Sequence, residues 1–400
     1  MTTTASGALK GVKVIDLTRV LAGPLCTQML ADHGAQVIKV EPPSGDETRG
    51  LGPPFDGDGN AAYFLALNRG KQAISLDLSK PEAQEVLHRL LADADVLVEN
   101  FLPGTLERWG LGFEQTLAAR YPRLIHCSIT GFGNDGPLGG LPGYDAVLQA
   151  LCGLMSINGD ECSGTTRVGM PIVDHLTGYV ALTGILMALV ARQASGKGQR
   201  LEATLYDTAL SLLLPHASNW FASKDSPRLL GSAHPNIAPY DKFRAQDGEL
   251  FIGILNDAQF RRLGACLGLD QLLEDERFAS NSLRVANRAA LKAVIEAAIQ
   301  DRACESLCET LMRSGVPAGA VNSVPQALAH AHCEHRDIVV RRGNYTGLRS
   351  PMRLLGTPGA PGVRPPGFAQ DTETILAGLG YAKEDRQRLR EMGAAPGPRS

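Results

Sequence analysis

Val12-Lys-Val-Ile-Asp-Leu17 and Gln36-Val-Ile-Lys-Val-Glu41 flank the helical pattern Pro24–His33, and this triplet decides the fold. Both flanking runs are short, β-branched and mostly apolar, the mark of strands buried on two faces. The pattern returns along the first third of the chain. Ala73–Leu78, Asp95–Glu99 and Leu124–Ile129 read as further strands, and Pro81–Ala92 as a further helix. Strand–helix–strand alternation with short links predicts an α/β domain with a doubly wound parallel sheet. Ligands on such sheets bind at the carboxyl ends of the strands.

Further along, Asp174 precedes a long apolar stretch, Leu176–Ala191, which reads as a buried helix of a soluble protein. It is shorter than the roughly 20 residues a bilayer needs, so no membrane association is expected. Ser195-Gly-Lys-Gly-Gln199 makes a turn and Arg200–Leu205 a strand. After a Pro-, Ser- and His-rich loop over His216–Pro239, a strand at Leu250–Leu255 and helices at Ala258–Leu267, Ala289–Ile299 and Cys304–Ser314 suggest a smaller α/β unit. Gly356–Gly367 reads as a strap, followed by a last helix at Asp371–Leu379 and the charged segment Glu384–Met392.

Composition narrows the function. Across 400 residues, 39 Lys+Arg face 42 Asp+Glu, a formal net charge of −3. That lacks the positive excess of a nucleic-acid binder. The 44 glycines imply many tight turns or many places where backbone approaches a ligand closely. Eight scattered cysteines with no C-x-x-C pair fit a reducing compartment. No basic segment followed by an apolar one opens the chain, so a cytoplasmic location is expected. His330, His332, Cys333 and His335 form no closed ligand set, and no metal is expected. Gly131-Phe-Gly-Asn-Asp-Gly136 matches a dinucleotide fingerprint, but Pro137 follows where a helix should open, so the context fails. There is no nucleophile elbow, P-loop or zinc-protease motif.

Asp174, in Gly169-Met-Pro-Ile-Val-Asp-His-Leu-Thr-Gly178, is the most informative residue. An Asp before a helix is a favoured N-cap. The same place suits a carboxylate nucleophile, which must attack as the anion. The two readings are compatible. Asn100-Phe-Leu-Pro-Gly104 and Arg108 follow a strand, as a turn or as a loop for an anionic ligand.

These residues carry a resemblance. Leu9–Pro24, Val37–Pro42, Asn68-Arg-Gly-Lys71, Val98–Gly104, Ser128–Gly133, Gly143-Tyr-Asp-Ala146 and Val173–Gly178 resemble, in order, the motifs of the family III CoA-transferases. The resemblance implies a Rossmann-like large domain built from both chain ends, over 1–210 and 330–400, with a small domain over 225–325. It also implies an interlocked homodimer. Asp174 matches the catalytic aspartate, which forms an acyl anhydride and then an aspartyl-CoA thioester, with no permanently bound cofactor. Coenzyme A, as acyl-CoA substrate, would lie against Val20, Leu21, Ala22, Leu67, Lys71, Asn100, Phe101 and Arg108, with Lys71 and Arg108 able to meet its phosphates.

Formyl-CoA transferases carry a glycine run where this chain has Gly253-Ile-Leu-Asn-Asp-Ala-Gln259. With Gly231–Tyr240, that pattern is more similar to the branch using succinyl-CoA and dicarboxylic acids. A second carboxylate would need a cation, and Arg19, Arg49 and Arg167 qualify by charge. Tyr144 and His234 are further substrate contacts to consider. Two alternatives stay open: a racemase of α-methylacyl-CoA, although Tyr144 stands where those enzymes use His, and a non-catalytic CoA binder in which Asp174 only caps a helix.

Overall fold

The computed structural model describes residues 7–359 and 364–398. Its chain divides into two compact units. The first contains 7–152, 169–212 and the described residues from 332 on; the second contains 153–168 and 213–331. Residues 153–168, which the sequence assigns to the large domain, group with the second unit. There they form a two-stranded antiparallel turn whose Gly159 carbonyl accepts the Gly231 N–H at 2.9 Å. Residues 360–363 of the expected strap lie outside the described residues.

The first unit is built on six strands: β1 (Lys13–Asp16), β2 (Gln36–Glu41), β3 (Gln72–Ser75), β4 (Val96–Glu99), β5 (Ile125–Thr130) and β6 (Arg200–Thr204). They lie in the order β3-β2-β1-β4-β5-β6, and every neighbouring pair is parallel. The chain winds outward from β1 to β3, then crosses to the other side of β1 for β4. That reversal opens a crevice at the carboxyl ends of β1 and β4. The strand residues are almost all buried, which is why the runs carry few polar interruptions.

The helices of this unit that bear on the site are α1 (Ala22–Asp32), α2 (Ala62–Leu67), α3 (Pro81–Ala92), α4 (Thr105–Arg108), α5 (Asp145–Leu151), α6 (Ile172–Ser195) and α7 (Leu205–Ser211). α6 is long and apolar enough to suit a membrane, but it packs on α1, β5 and β6. Two glycines permit this approach. A Cβ at Gly178 would lie 2.8 Å from the Ala22 carbonyl, and one at Gly184 would lie 2.9 Å from Leu201. On the other sheet face, Ile15, Ile74, Leu87, Leu90 and Leu97 form a core that Ile375, Leu376 and Leu389 from the chain's end complete. Asp371 pairs with the edge strand, its N–H donating to the Ala73 carbonyl and its carboxylate accepting the Ala73 N–H.

The second unit holds an antiparallel sheet of β7 (Tyr240–Arg244), β8 (Glu249–Gly253) and β9 (Ala318–Ala320), with β8 central. Helices Asp257–Leu267, Arg288–Ile299 and Cys304–Arg313 pack on it through Phe260, Leu263, Leu291, Ile295, Leu307 and Leu311. The sequence reading found the helices and β8 but missed the half-polar β7 and the three-residue β9.

Candidate active site

A cavity of about 290 Å³ opens at the carboxyl ends of the strands. Its wall includes Arg19 to Ala22 after β1, Asn100 to Pro103 after β4, Thr130 and Gly131 after β5, Tyr144, and Asp174. Asp174 is not the N-cap that the sequence suggests. Pro171 occupies that place, and Asp174 is the third residue of α6. The capping is done from 28 residues upstream: an Asp145 carboxylate oxygen accepts the N–H groups of Val173 at 2.8 Å and Asp174 at 3.2 Å. Its other oxygen accepts from the Gln149 amide at 2.6 Å. Asp145 thereby satisfies helix-end donors that would otherwise be orphaned.

This leaves the Asp174 side chain uncommitted: among the described residues its carboxylate accepts no hydrogen bond. Burial, and then the Asp145 carboxylate, push its pKa up to about 7. The helix terminus favours the anion and the apolar wall opposes it. Tyr63, on α2, faces the same pair of acids. Burial, then Asp174, Asp145 and Asp46, push its phenol up to about 12. Sequence reading missed Tyr63, which stands in no recognisable motif.

A second cavity, of about 330 Å³, lies alongside and is largely apolar. Leu17, Val40, Leu76 and Trp109 line it, with Arg19, Phe101 and Leu102 shared between the two. The rings of Phe101 and Trp109 meet edge to face at 5.4 Å, and the Arg19 guanidinium lies 6.0 Å from the Phe101 ring. Arg108 is exposed at the end of α4, its guanidinium bonded to the Thr105 hydroxyl at 2.9 Å.

The other expected site residues are placed differently. Leu67 is buried at the end of α2. Lys71 does not face a phosphate: its ammonium is fully enclosed, bonded to Asp16 at 3.0 Å, the Pro24 carbonyl and the Asn68 amide oxygen. Burial, partly offset by Asp16, brings it down to about 8. Arg49 is also committed, in a two-pronged pair with Glu41 and stacked 3.7 Å over Phe64. The Asn100 amide is spent on the backbone of Arg19, accepting its N–H at 2.9 Å and donating to its carbonyl at 2.8 Å. Arg167 and His234 belong to the second unit, where His234 packs edge to face on Tyr240. Of the three candidate arginines, Arg19 is the one lining the Asp174 cavity, paired with Glu47 at 2.9 Å.

A parallel-sheet crevice at the strand ends, with a free carboxylate in its wall, is the arrangement of a ligand-binding α/β protein. The model of CoA-transferase family III matches residues 9–372, and the chain belongs to this family. It is 40% identical over 361 residues to the succinate–glutarate CoA-transferase of Agrobacterium fabrum, covering 88% of this chain and 90% of that one. It is 36% identical over 380 residues to the succinyl-CoA:glutarate CoA-transferase of Mus musculus, covering 92% and 85%. A crystal structure of a CAIB/BAIF family protein from Brucella suis matches with a TM-score of 0.85 at 42% identity, covering 94% of this chain and all of that one.

Proposed function

We propose that this protein moves CoA from succinyl-CoA to a small dicarboxylic acid of the glutarate type, with Asp174 as covalent nucleophile. The observation that carries the reading is the Asp174 carboxylate, without a hydrogen-bond partner among the described residues, facing a cavity at the strand ends. The names of the relatives support the substrate class.

The steps need only the carboxylate and the thioester. Asp174 attacks the donor thioester carbonyl; the C–S bond breaks, giving a mixed anhydride and CoA thiolate. The thiolate attacks the aspartyl carbonyl, expelling the donor acid as its carboxylate and leaving aspartyl-CoA. The acceptor carboxylate attacks that thioester, forming a new anhydride and releasing thiolate again. Thiolate attack on the acceptor acyl carbon then yields the new acyl-CoA and restores Asp174. No net proton moves. The apolar cavity lined by Phe101 and Trp109 suits the nucleotide end of CoA, at the point where the strand order reverses. Arg19, which lines both cavities, and Arg108, exposed at the end of α4, are the cations offered to its phosphates or to the distal carboxylate of the acid.

A homodimer fits this reading. Val180, Met187 and Val190 leave an exposed apolar stripe on α6, and Val147 and Leu151 do the same on neighbouring α5. Such a surface supports burial against a second copy. Light scattering at micromolar concentration tests it.

The test of function is a donor and acceptor screen read by the mass of the CoA esters, starting from succinyl-CoA. Transfer to a small dicarboxylate, lost in Asp174→Ala with CoA binding retained, is expected. Full transfer by Asp174→Ala overturns the nucleophile. Deuterium uptake at the acyl α-carbon without transfer overturns the reaction in favour of a racemase. Tyr144, the residue at the racemase acid/base position, is a phenol and a weak base near neutral pH.

A further inference from the structure

The loop after β1 carries a conformational anomaly at the site. Val20 has φ +68°, a left-handed conformation that a β-branched residue rarely adopts. Strain of this kind persists only where the surroundings over-determine the backbone.

The two residues before Val20 are held in that way. The Thr18 N–H donates to Asp16 Oδ1 at 2.9 Å, and the Thr18 carbonyl accepts from the Lys39 ammonium at 2.7 Å. Both charged groups are fully buried. The Arg19 N–H and carbonyl are taken by the two ends of the Asn100 amide. Side chains from the end of β1, from within β2 and from the residue after β4 thus bond both backbone groups of two consecutive residues. Gly23 then packs so closely on Thr18 that an added Cβ would lie 2.4 Å from its side chain. The charges are braced in turn. Lys39 pairs with buried Asp46 at 2.9 Å, and Asp16 pairs with Lys71 and accepts from Thr27 at 2.7 Å.

What the clamp aims is the start of α1. Leu21 caps that helix without any side-chain bond, and in its first turn, where Pro24 carries no N–H, the Ala22 and Gly23 amides have no intrahelical partner. Val20, Leu21 and Ala22 share the cavity wall with Asp174. Fixed amides beside a reacting carbonyl stabilise the developing oxyanion.

We infer that Lys39, with Asp16 and Asn100, is a positioning residue that imposes the left-handed Val20 and so aims the α1 amides at the carbonyl attacked by Asp174. The inference rests on the reading of Asp174 as a transferase nucleophile. Lys39 is fully buried and lines neither cavity.

The test is the pair Lys39→Met with Asp46→Asn, which removes both charges together and leaves no lone buried ion. In folded protein, kcat is expected to fall at least tenfold, with KM for the acyl-CoA within threefold. Adding Val20→Gly, which takes positive φ without steric cost, should recover at least fivefold of that loss. Asn100→Ala removes the other arm of the clamp and serves as the second background, with the same rescue expected. Hydrogen exchange at 18–25, measured without substrate, should be at least tenfold faster in each weakened variant while β4 and β5 are unchanged. A kcat within twofold of wild type in the folded pair, or no rescue by Val20→Gly in either background, overturns the inference. Absence of transfer in the unmodified enzyme instead overturns the functional reading, and the exchange experiment separates the two.

Discussion

The Asp145 carboxylate and the Asp174 N–H lie 3.2 Å apart, so that one acid anchors the helix end on which the other acid is displayed. The same contact brings two negative groups together, and Asp145 is, after burial, the second cause of the raised Asp174 pKa. Anchor and brake are therefore one residue, and substitution can separate them.

Asp145→Asn retains an oxygen that can accept the Val173 and Asp174 N–H groups but removes the charge. The Asp174 pKa is then expected to fall, moving the rising limb of the pH profile of kcat/KM to lower pH. Asp145→Ala removes the acceptor as well. It should cost about 1 kcal/mol of stability, as lost caps do, and lower kcat more than Asp145→Asn does. Paired pH profiles and urea titrations measure both effects. A limb that stays in place in Asp145→Asn would show that the neighbouring charge is not felt.

The unmodified enzyme should itself be limited by ionisation of Asp174. Attack requires the anion, and burial and then Asp145 push this group's pKa up to about 7. Its kcat/KM for the acyl-CoA should rise with pH through that value and level off above it. At pH 5.5 it should stand about thirtyfold below the plateau. Stopped assays by CoA-ester mass across pH 5 to 9 give the curve. A flat profile down to pH 5 would mean that substrate-free Asp174 is already ionised there.

Stability should move the opposite way. The folded Asp174 pKa lies above the unfolded value of about 3.8. Between the two values the folded state binds more protons than the unfolded state, so rising pH removes stability over about pH 4 to 7. Above that window the full cost remains, no more than about 4 kcal/mol at 1.36 kcal/mol per unit, and less because the side chain is only half-buried. Asp174→Asn removes the charge at nearly constant shape. It should therefore resist urea better than wild type at pH 8, with the difference vanishing at pH 4.

What the sequence reveals follows the range of the forces. Gln36–Glu41 and Pro81–Ala92 fall where the pattern puts them, because burial on two faces and helical periodicity are written locally. The strand Tyr240–Arg244 was missed because only Phe243 of its five residues is buried, leaving no alternation to read. The start of α6 was misplaced because its cap is supplied by Asp145, and no local rule connects a turn to an acid 28 residues away. The family motifs located Asp174, Val20 and Phe101 at one cavity. They did not distinguish a lysine that meets solvent from one that is sealed in, since that depends on which distant carboxylate folds beside it.

Lys71 is that lysine, and its two readings predict different losses. A lysine reaching a CoA phosphate would, when truncated, raise KM for the acyl-CoA and leave stability nearly unchanged. The structure instead encloses the ammonium against Asp16, with both side chains fully buried. Burial would raise the Asp16 carboxyl, but Lys71 and then Lys39 outweigh it and bring the pKa down to about 2. Lys71→Met deprives Asp16 of its nearer cation inside the core, a change that typically costs 3–5 kcal/mol, to be taken as about that size here. The variant should therefore unfold at markedly lower urea, and Lys71→Met with Asp16→Asn should recover part of the loss because no unpaired charge is left. Since Asp16 also holds the Thr18 N–H at 2.9 Å, disturbance spreads to the Val20 loop and should lower kcat before it changes KM. A rise in KM of tenfold or more, at unchanged stability and kcat, would return Lys71 to the phosphates.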